Sequence, residues 1–384
     1  MIPYGKQHIT EQDISAVVEV LKSDFITQGP KVLEFEQAIA QYCHAQHAIA
    51  TNSATSALHI ACQALGLTEG DWLWTSPISF VASANCGRYC GAQVDFVDID
   101  LNTVNICPKK LKEKLVLAKQ QNTLPKVVVV VHMAGLSCDM QAIAELAKEY
   151  EFAIIEDASH AIGGQYQGKP VGNCQYSDIS VFSFHPVKII TSAEGGIAVT
   201  NNEGLARKMR LYSSHGVTRE QATFTNGIDA PWYYEQHCLG QNYRMTELQG
   251  ALGLSQLQRV DEIVSQRQQL AKKYQAILSG LPITWQQSVD DNYSAYHLFV
   301  IRLNDDTKLT REQLFEALRK ANIGVNVHYI PIHTQPYYRE LGFKQGDFPV
   351  AERYYQGALS LPLYPELSEQ DFDHITTTLH ALLD

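Results

Sequence analysis

Three stretches set polar, titratable residues against apolar runs. They are Thr51-Asn52-Ser53-Ala54-Thr55, Glu156-Asp157-Ala158-Ser159-His160 and Ser183-Phe184-His185-Pro186-Val187-Lys188. In open parallel sheets, ligands bind beyond the carboxyl ends of strands, so such stretches are where chemistry is expected. In the first, small residues lead into a helical pattern. The free N–H groups and positive dipole end of a helix start there can hold a phosphate. Alone, this stretch also reads as a plain N-cap by Ser53. In the second, a carboxylate follows Phe152-Ala153-Ile154-Ile155. A partly buried carboxylate needs a cation, and Asp157 can face a protonated heteroaromatic nitrogen. A helix-capping aspartate is the plain alternative. In the third, Lys188 sits in a turn behind an apolar strand, shortly before Glu194-Gly195-Gly196. Such a lysine snorkels to solvent, or it is paired, shifted in pKa or covalently bound. A Schiff base with a cofactor answers the last case. A phosphate cradle, an aspartate and a turn lysine, in that order, are the parts that pyridoxal 5′-phosphate (PLP) needs.

The elements that must position these residues alternate. Strands are expected at His47–Thr51, Trp72–Thr75, Gln93–Val97, Val127–Val131, Phe152–Ile155, Ile179–Phe184 and Gly196–Thr200. Helical spacing follows the first strand at Ala54, Ala57, Leu58, Ala61 and Leu65, and a further helix is expected over Asp139–Tyr150, capped by Asp139. The unbroken β-branched run after Lys126 predicts a strand covered on both faces. The class is therefore α/β, with a mostly parallel sheet of about seven strands. From Met245 to about Leu281 the pattern predicts one long helix, and a smaller α+β unit follows. Its expected elements are strands at Tyr296–Leu303 and Asn326–Tyr329, a helix at Arg311–Ala321, and a last helix near Glu369–Leu383. The expected division is a large cofactor-binding domain, with an N-terminal arm, over 1–255 and a small domain over 256–384.

Composition narrows the function. The 384 residues carry a formal net charge of −11, which argues against binding nucleic acid or an anionic membrane surface. No apolar stretch suits a membrane span and no signal peptide opens the chain, so a cytoplasmic protein is expected. The eight cysteines include no CxxC pair. Cys86 and Cys90, at helical spacing, are expected to be buried free thiols. A metal at Cys43, His44 and His47 lacks a second ligand pair, so none is expected. There is no GxGxxG or GxxxxGK[ST], and the glycines of Gly163-Gly164-Gln165-Tyr166-Gln167-Gly168 stand at the wrong spacing. Tyr337-Tyr338 and Tyr354-Tyr355 are expected to pack or to sit at a rim. The Trp232-Tyr233-Tyr234 loop lines a cleft or a subunit interface, and the residues do not choose.

Five ordered motifs carry a resemblance over nearly the whole chain. They are Ser53-Ala54-Thr55-Ser56-Ala57-Leu58-His59, Glu156-Asp157-Ala158-Ser159-His160-Ala161, Phe182-Ser183-Phe184-His185-Pro186-Val187-Lys188, Ala193-Glu194-Gly195-Gly196 and Gly240-Gln241-Asn242-Tyr243-Arg244-Met245-Thr246-Glu247-Leu248-Gln249. Together they resemble the DegT/DnrJ/EryC1/StrS sugar aminotransferases. The resemblance implies an aspartate-aminotransferase-type fold (PLP fold type I), PLP as cofactor, and a homodimer or a dimer of dimers. Ser76-Pro77-Ile78-Ser79-Phe80-Val81-Ala82-Ser83-Ala84-Asn85 and His328-Tyr329-Ile330-Pro331-Ile332-His333 look like the branch that aminates C4 of UDP-linked 4-keto-6-deoxy sugars in pseudaminic acid biosynthesis. L-glutamate is the amino donor there.

Carried over residue by residue, the resemblance assigns Lys188 to the covalent link and Asp157 to the pyridine nitrogen. Phe80 would lie on the ring and His160 at its phenolic oxygen. Ala54, Thr55 and Ser183 would hold the phosphate, with Asn242 reaching it from the other subunit. Tyr4, Asp24, Phe25, Ile26, Thr27, Ala54, Ser183, Asn242, His328, Tyr329, Ile330 and Pro331 match substrate-contacting positions. The alternatives are amination of C3 or C4 on another UDP- or dTDP-linked keto-deoxysugar, a PLP-dependent sugar dehydratase, and a non-catalytic PLP-binding regulator. The dehydratases carry His where Lys188 stands, and a regulator would not need every catalytic position filled.

Overall fold

Burial on both faces of Val127–Val131 organises the chain in a computed structural model that describes residues 1–228, 230–289 and 291–384. Val127 and Val129 join one core with Ala57, Leu58 and Ala61, while Val128 and Val130 join another with Leu111, Leu115 and Ile143. Helices therefore cover both faces, as the unbroken run requires. The strands are β1 (His47–Thr51), β2 (Trp72–Thr75), β3 (Gln93–Phe96), β4 (Val127–Val131), β5 (Ala153–Asp157), β6 (Ile179–Ser183) and β7 (Gly196–Thr200). They form one seven-stranded sheet in the order β1-β7-β6-β5-β4-β2-β3. Strands β3, β2, β4, β5 and β6 are parallel neighbours, and β7 runs antiparallel to both β6 and β1.

The reversal of β7 gathers the site. The carboxyl ends of β1, β2, β4, β5 and β6 share one edge, and the amino end of β7 arrives there too. Gly196 pairs with Thr51 on one side and Ser183 on the other. The phosphate-cradle stretch, Ser183 and the Glu194-Gly195-Gly196 turn are thus brought together by register alone.

A second unit holds an antiparallel sheet of β8 (Ile283–Trp285), β9 (Phe299–Leu303) and β10 (Ala358–Leu361). Its core packs Tyr274 flat on Phe299, with ring centroids 5.0 Å apart, and adds Leu314, Leu318 and Phe372 from flanking helices. The N-terminal arm joins this unit: Ile2 N–H donates to Asn322 O at 2.8 Å, and Leu363 N–H donates to Tyr4 O at 3.1 Å.

Most expected elements form within a residue or two of their bounds, and the departures have local causes. The expected helix from Met245 to Leu281 is two, Glu247–Leu257 and Val260–Ile277. Arg259 leaves the helical conformation at the break, where its Nη2 pairs with the buried Asp13 Oδ2 at 2.6 Å. The expected strand Asn326–Tyr329 makes a single bridge, Asn326 to Ser360, because His328 and Tyr329 turn into a cavity. Strand β5 runs on through Glu156 and Asp157, which pair with Val130 and Val131. Cys86 is buried, but Cys90 is only half-buried, since it lies just past the end of its helix. Tyr338 and Tyr354 pack in the core and Tyr337 is exposed.

Gly196 tests the crossing of β7 and the cradle. A Cβ there would stand 2.4 Å from Ala54 N and 2.5 Å from Ala54 Cα. These are backbone atoms that cannot swing aside. Gly196→Ala should therefore cost about 2 kcal/mol in urea unfolding. Wild-type stability would show that the approach is looser.

Candidate active site

Two consecutive carboxylates at the end of β5 divide their tasks by strand periodicity. Side chains alternate between faces, so Asp157 shares the face of Ile155 and Glu156 that of Ile154. Glu156 is absorbed by structure: its carboxylate accepts from His132 Nε2 at 2.7 Å and from the Ser177 hydroxyl. Asp157 lines a cavity of about 450 Å³. Its Oδ2 accepts from Ser83 Oγ at 2.6 Å, and its Oδ1 accepts from Ser159 N–H at 3.2 Å. Ser79 Oγ lies 2.6 Å from Ser83 Oγ. With the Ser83 proton committed to Asp157, Ser79 is the donor in that pair. Among the described residues Asp157 has no ion-pair partner, although it is buried. A buried carboxylate so placed calls for a cation from a ligand.

The cradle opens the helix Ala54–Ala64. Ser53 caps it by accepting from Ser56 N–H at 3.1 Å, and Ala54 and Thr55 line the cavity. Ser183, at the end of β6, lines it too, and its hydroxyl has no hydrogen-bond partner among the described residues. Lys188 reaches the same cavity from the following turn. Burial lowers its pKa to about 8, and the Asp157 carboxylate opposes that shift.

A group of aromatic side chains faces these residues. His160 Nδ1 accepts from Ala134 N–H at 3.3 Å, so its proton sits on Nε2, 3.1 Å from Tyr329 Oη. Burial first, and then Lys188 and His328, hold His160 well below the usual imidazole range. His328 is lowered to about 3, by burial and then Lys188, and its Nδ1 lies 2.7 Å from Ser360 Oγ. Burial raises the Tyr329 phenol, with Asp157 adding to it. Tyr4 stands 5.4 Å from the His328 ring, and the exposed Phe80 stands 6.3 Å from Tyr329 at the cavity mouth.

The fold thus brings Tyr4, Ala54, Thr55, Phe80, Asp157, His160, Ser183, Lys188, His328 and Tyr329 to one cavity. Others stay outside it within one chain. Asn242 is exposed and bridges to Ser214, and Asp24, Phe25, Ile26 and Thr27 are exposed. Ile330 is exposed and Pro331 is buried, neither against the cavity. Trp232 and Tyr234 are exposed, and Tyr233 donates to Glu235. Sequence reading gave no role to Ser79 and Ser83, which support Asp157, or to His297. The first two lay inside a quoted motif, and their i, i+4 spacing was the available signal. His297 lay inside an expected strand and carried none.

Comparison with known proteins adds a family to this geometry. A model of the DegT/DnrJ/EryC1/StrS aminotransferase family matches residues 7–380. The chain belongs to that family. It is 39% identical to the Bacillus subtilis spore coat polysaccharide biosynthesis protein SpsC, over 100% of this chain and 97% of that one. It is 38% identical to a UDP-4-amino-4,6-dideoxy-N-acetyl-beta-L-altrosamine transaminase of Campylobacter jejuni, over 100% of this chain and 98% of that one. Among solved structures, Helicobacter pylori PseC, an aminotransferase involved in the biosynthesis of pseudoaminic acid, superposes with a TM-score of 0.91. The identity is 33%, over 100% of this chain and 99% of that one.

As a DegT/DnrJ/EryC1/StrS aminotransferase, the chain has the fold-type-I architecture and PLP as its cofactor. Its residues fit that cofactor: an unpaired buried carboxylate, an unpartnered Ser183 hydroxyl beside a helix N-terminus, and a lysine with a lowered pKa share one cavity. Among the described residues no cluster suits a metal ion, and no helix is long and apolar enough to cross a membrane.

The lysine makes a pH prediction for cofactor-free protein. Its folded pKa, about 8, lies below its ordinary 10.5. Between those values the unfolded chain holds a proton that the folded chain has released, so folded stability rises with pH. The stability of wild type minus that of Lys188→Met should therefore increase from about pH 7 to about pH 10 in urea melts. A flat difference would mean that Lys188 titrates normally.

Proposed function

We propose that this DegT/DnrJ/EryC1/StrS aminotransferase moves the amino group of L-glutamate onto C4 of a UDP-linked 4-keto-6-deoxy-N-acetylhexosamine. The product would be UDP-4-amino-4,6-dideoxy-N-acetyl-β-L-altrosamine, made in the cytoplasm for pseudaminic acid. The observation that carries the reading is the meeting of Lys188, Asp157 and the Ala54–Thr55 helix start in one cavity. The likeness to the Campylobacter and Helicobacter proteins over their whole lengths supports the sugar. The Bacillus relative keeps a second reading open, another keto sugar on the same machinery.

In this reading residues 1–255 carry the cofactor and 256–384 close over it. Ala54 and Thr55 N–H groups and the Ser183 hydroxyl hold the phosphate. Asp157, fixed by Ser83, keeps the pyridine nitrogen protonated. Phe80 covers the ring, and His160 donates from Nε2 at the phenolic oxygen. When bound, PLP supplies an electrophilic carbon and an electron-withdrawing ring. Lys188 Nζ holds the cofactor and, once free of it, carries the proton that amino transfer displaces. A positioned base of this kind contributes roughly 10²–10⁴ in rate. Burial lowers its affinity for that proton, which brings its pKa near the working pH. Tyr4, His328 and Tyr329 face the sugar.

The exposed residues complete the partner's site. Ile26 O accepts from Glu247 N–H at 3.1 Å, so Asp24–Thr27 and the start of the helix that follows Asn242 form one surface. A homodimer with Asn242 completing the other subunit's phosphate site accounts for their exposure.

Three experiments test these claims. The protein should aminate the UDP-linked 4-keto sugar with L-glutamate, identified by NMR against a panel of 3- and 4-keto nucleotide sugars. Conversion of a different sugar alone would move the assignment to it. Borohydride should fix the cofactor on the peptide carrying Lys188, and label elsewhere would remove that lysine's role. For the dimer, Lys188→Ala and Asn242→Asp should each be nearly inactive. Refolded as a mixture, they should recover about a quarter of wild-type activity, since about half the dimers are hybrids with one intact site. No recovery, with hybrids seen by mass spectrometry, would place both residues in one chain's site.

A further inference from the structure

His297 also lines the cavity, and no motif marks it. It is only 4% exposed. Its Nδ1 is sealed from solvent without a hydrogen-bond partner, and its Nε2 makes no hydrogen bond among the described residues. The other cavity imidazoles differ, and His185 among them is exposed to solvent. Both nitrogens of His160 are engaged, and His328 Nδ1 meets Ser360. A buried polar ring left wholly unpaired is costly, and such groups usually find a partner in a ligand or ordered water.

The chain builds this position from two sides. Arg267, 1% exposed on the helix Val260–Ile277, donates from Nη1 to the carbonyls of Tyr296, His297 and Leu363 at 3.3, 3.2 and 2.9 Å. It has no ion-pair partner among the described residues, so its charge is spent on fixing this loop. On the other side stands Gly135, at φ +105. A Cβ there would meet Tyr296 N at 2.8 Å, His160 O at 3.0 Å and His297 N at 3.1 Å. Only glycine lets the two histidine loops close to a ring separation of 4.4 Å.

The chemistry of the ring follows from its neighbours. Burial first, then the neighbouring His160, Lys188, Arg267 and His328, push His297 well below the usual imidazole range. It is therefore neutral. An orphaned buried N–H costs more than an orphaned bare nitrogen, so the single proton belongs on Nε2 and not on the sealed Nδ1. A neutral donor suits a neutral oxygen, whereas a carboxylate would be better served by a cation.

We propose that His297 is a substrate-contacting residue whose Nε2–H donates to a carbonyl or hydroxyl oxygen of the keto sugar, with Arg267 and Gly135 as its positioning residues. The proposal rests on the sugar-transamination reading above.

The holoenzyme's two half-reactions separate the substrates. His297→Phe keeps the shape and removes the donor. It should raise the KM for the UDP-linked 4-keto sugar about tenfold and leave the L-glutamate half-reaction within about twofold. His297→Gln restores a donor and should recover part of the loss. Arg267→Met should raise the same KM without moving the glutamate step. On cofactor-free wild type, ¹⁵N-histidine NMR should show one Nε2–H shifting when the UDP-amino-sugar product is added, and that signal should be missing from His297→Gln. A wild-type KM in His297→Phe, an equal fall in both half-reactions, or no shifted imidazole overturns the proposal while leaving the enzyme assignment standing. If His297→Phe does not fold, the Gln variant and the NMR signal decide. Wild-type protein inert toward every keto sugar overturns both.

Discussion

Asp157 is a buried carboxylate held by one hydroxyl and one backbone N–H, with no cation of its own within the described chain. Desolvating a carboxylate is expensive, and here the protein spends contacts on aiming the charge and not on neutralising it. The Ser79–Ser83–Asp157 chain makes sense on those terms. Each hydroxyl is committed to the next, so the carboxylate cannot turn away from the cavity. Lys188 is the complementary case, an amine whose burial weakens its hold on a proton. Within the chain the pair is poised for a ligand that carries a cationic nitrogen and an electrophilic carbon.

The sheet accounts for how these groups meet. A wholly parallel sheet would put the β6–β7 connection at the opposite edge. With β7 reversed, its first residue lies between the ends of β1 and β6, and the Glu194–Gly196 turn closes the cradle. The cost of that arrangement falls on Gly196, where backbone packs on backbone.

The second unit supplies the opposite wall. His297, His328 and Tyr329 reach the cavity from segments whose backbones are tied to β10 or to Arg267, and the N-terminal arm adds Tyr4. These rings are polar but uncharged, since burial keeps the imidazoles neutral and the phenol protonated. Charge is thus concentrated on the sheet side, while the facing wall offers neutral hydrogen-bonding groups, an arrangement suited to discriminating hydroxyl and carbonyl positions on a sugar.

The sequence by itself determined the seven strands, the mostly parallel class, the capped helix at Asp139, the C-terminal helix and the three polar strand ends. All of these depend on local periodicity, capping and β-branched runs, which a reader can count. Ordered motifs added the family. The choice of Asp157 was in the sequence and its motif, but only the tertiary structure showed how it is made, by a strand that runs on past Ile155 so that the alternation turns Glu156 away from the cavity. It broke the helix at Arg259, whose partner Asp13 lies far away in the chain. It turned His328 and Tyr329 out of an expected strand, and it placed His297 beside His160 through Gly135 and Arg267. Each of these outcomes rests on a contact between distant segments, and such contacts leave no period or spacing to read.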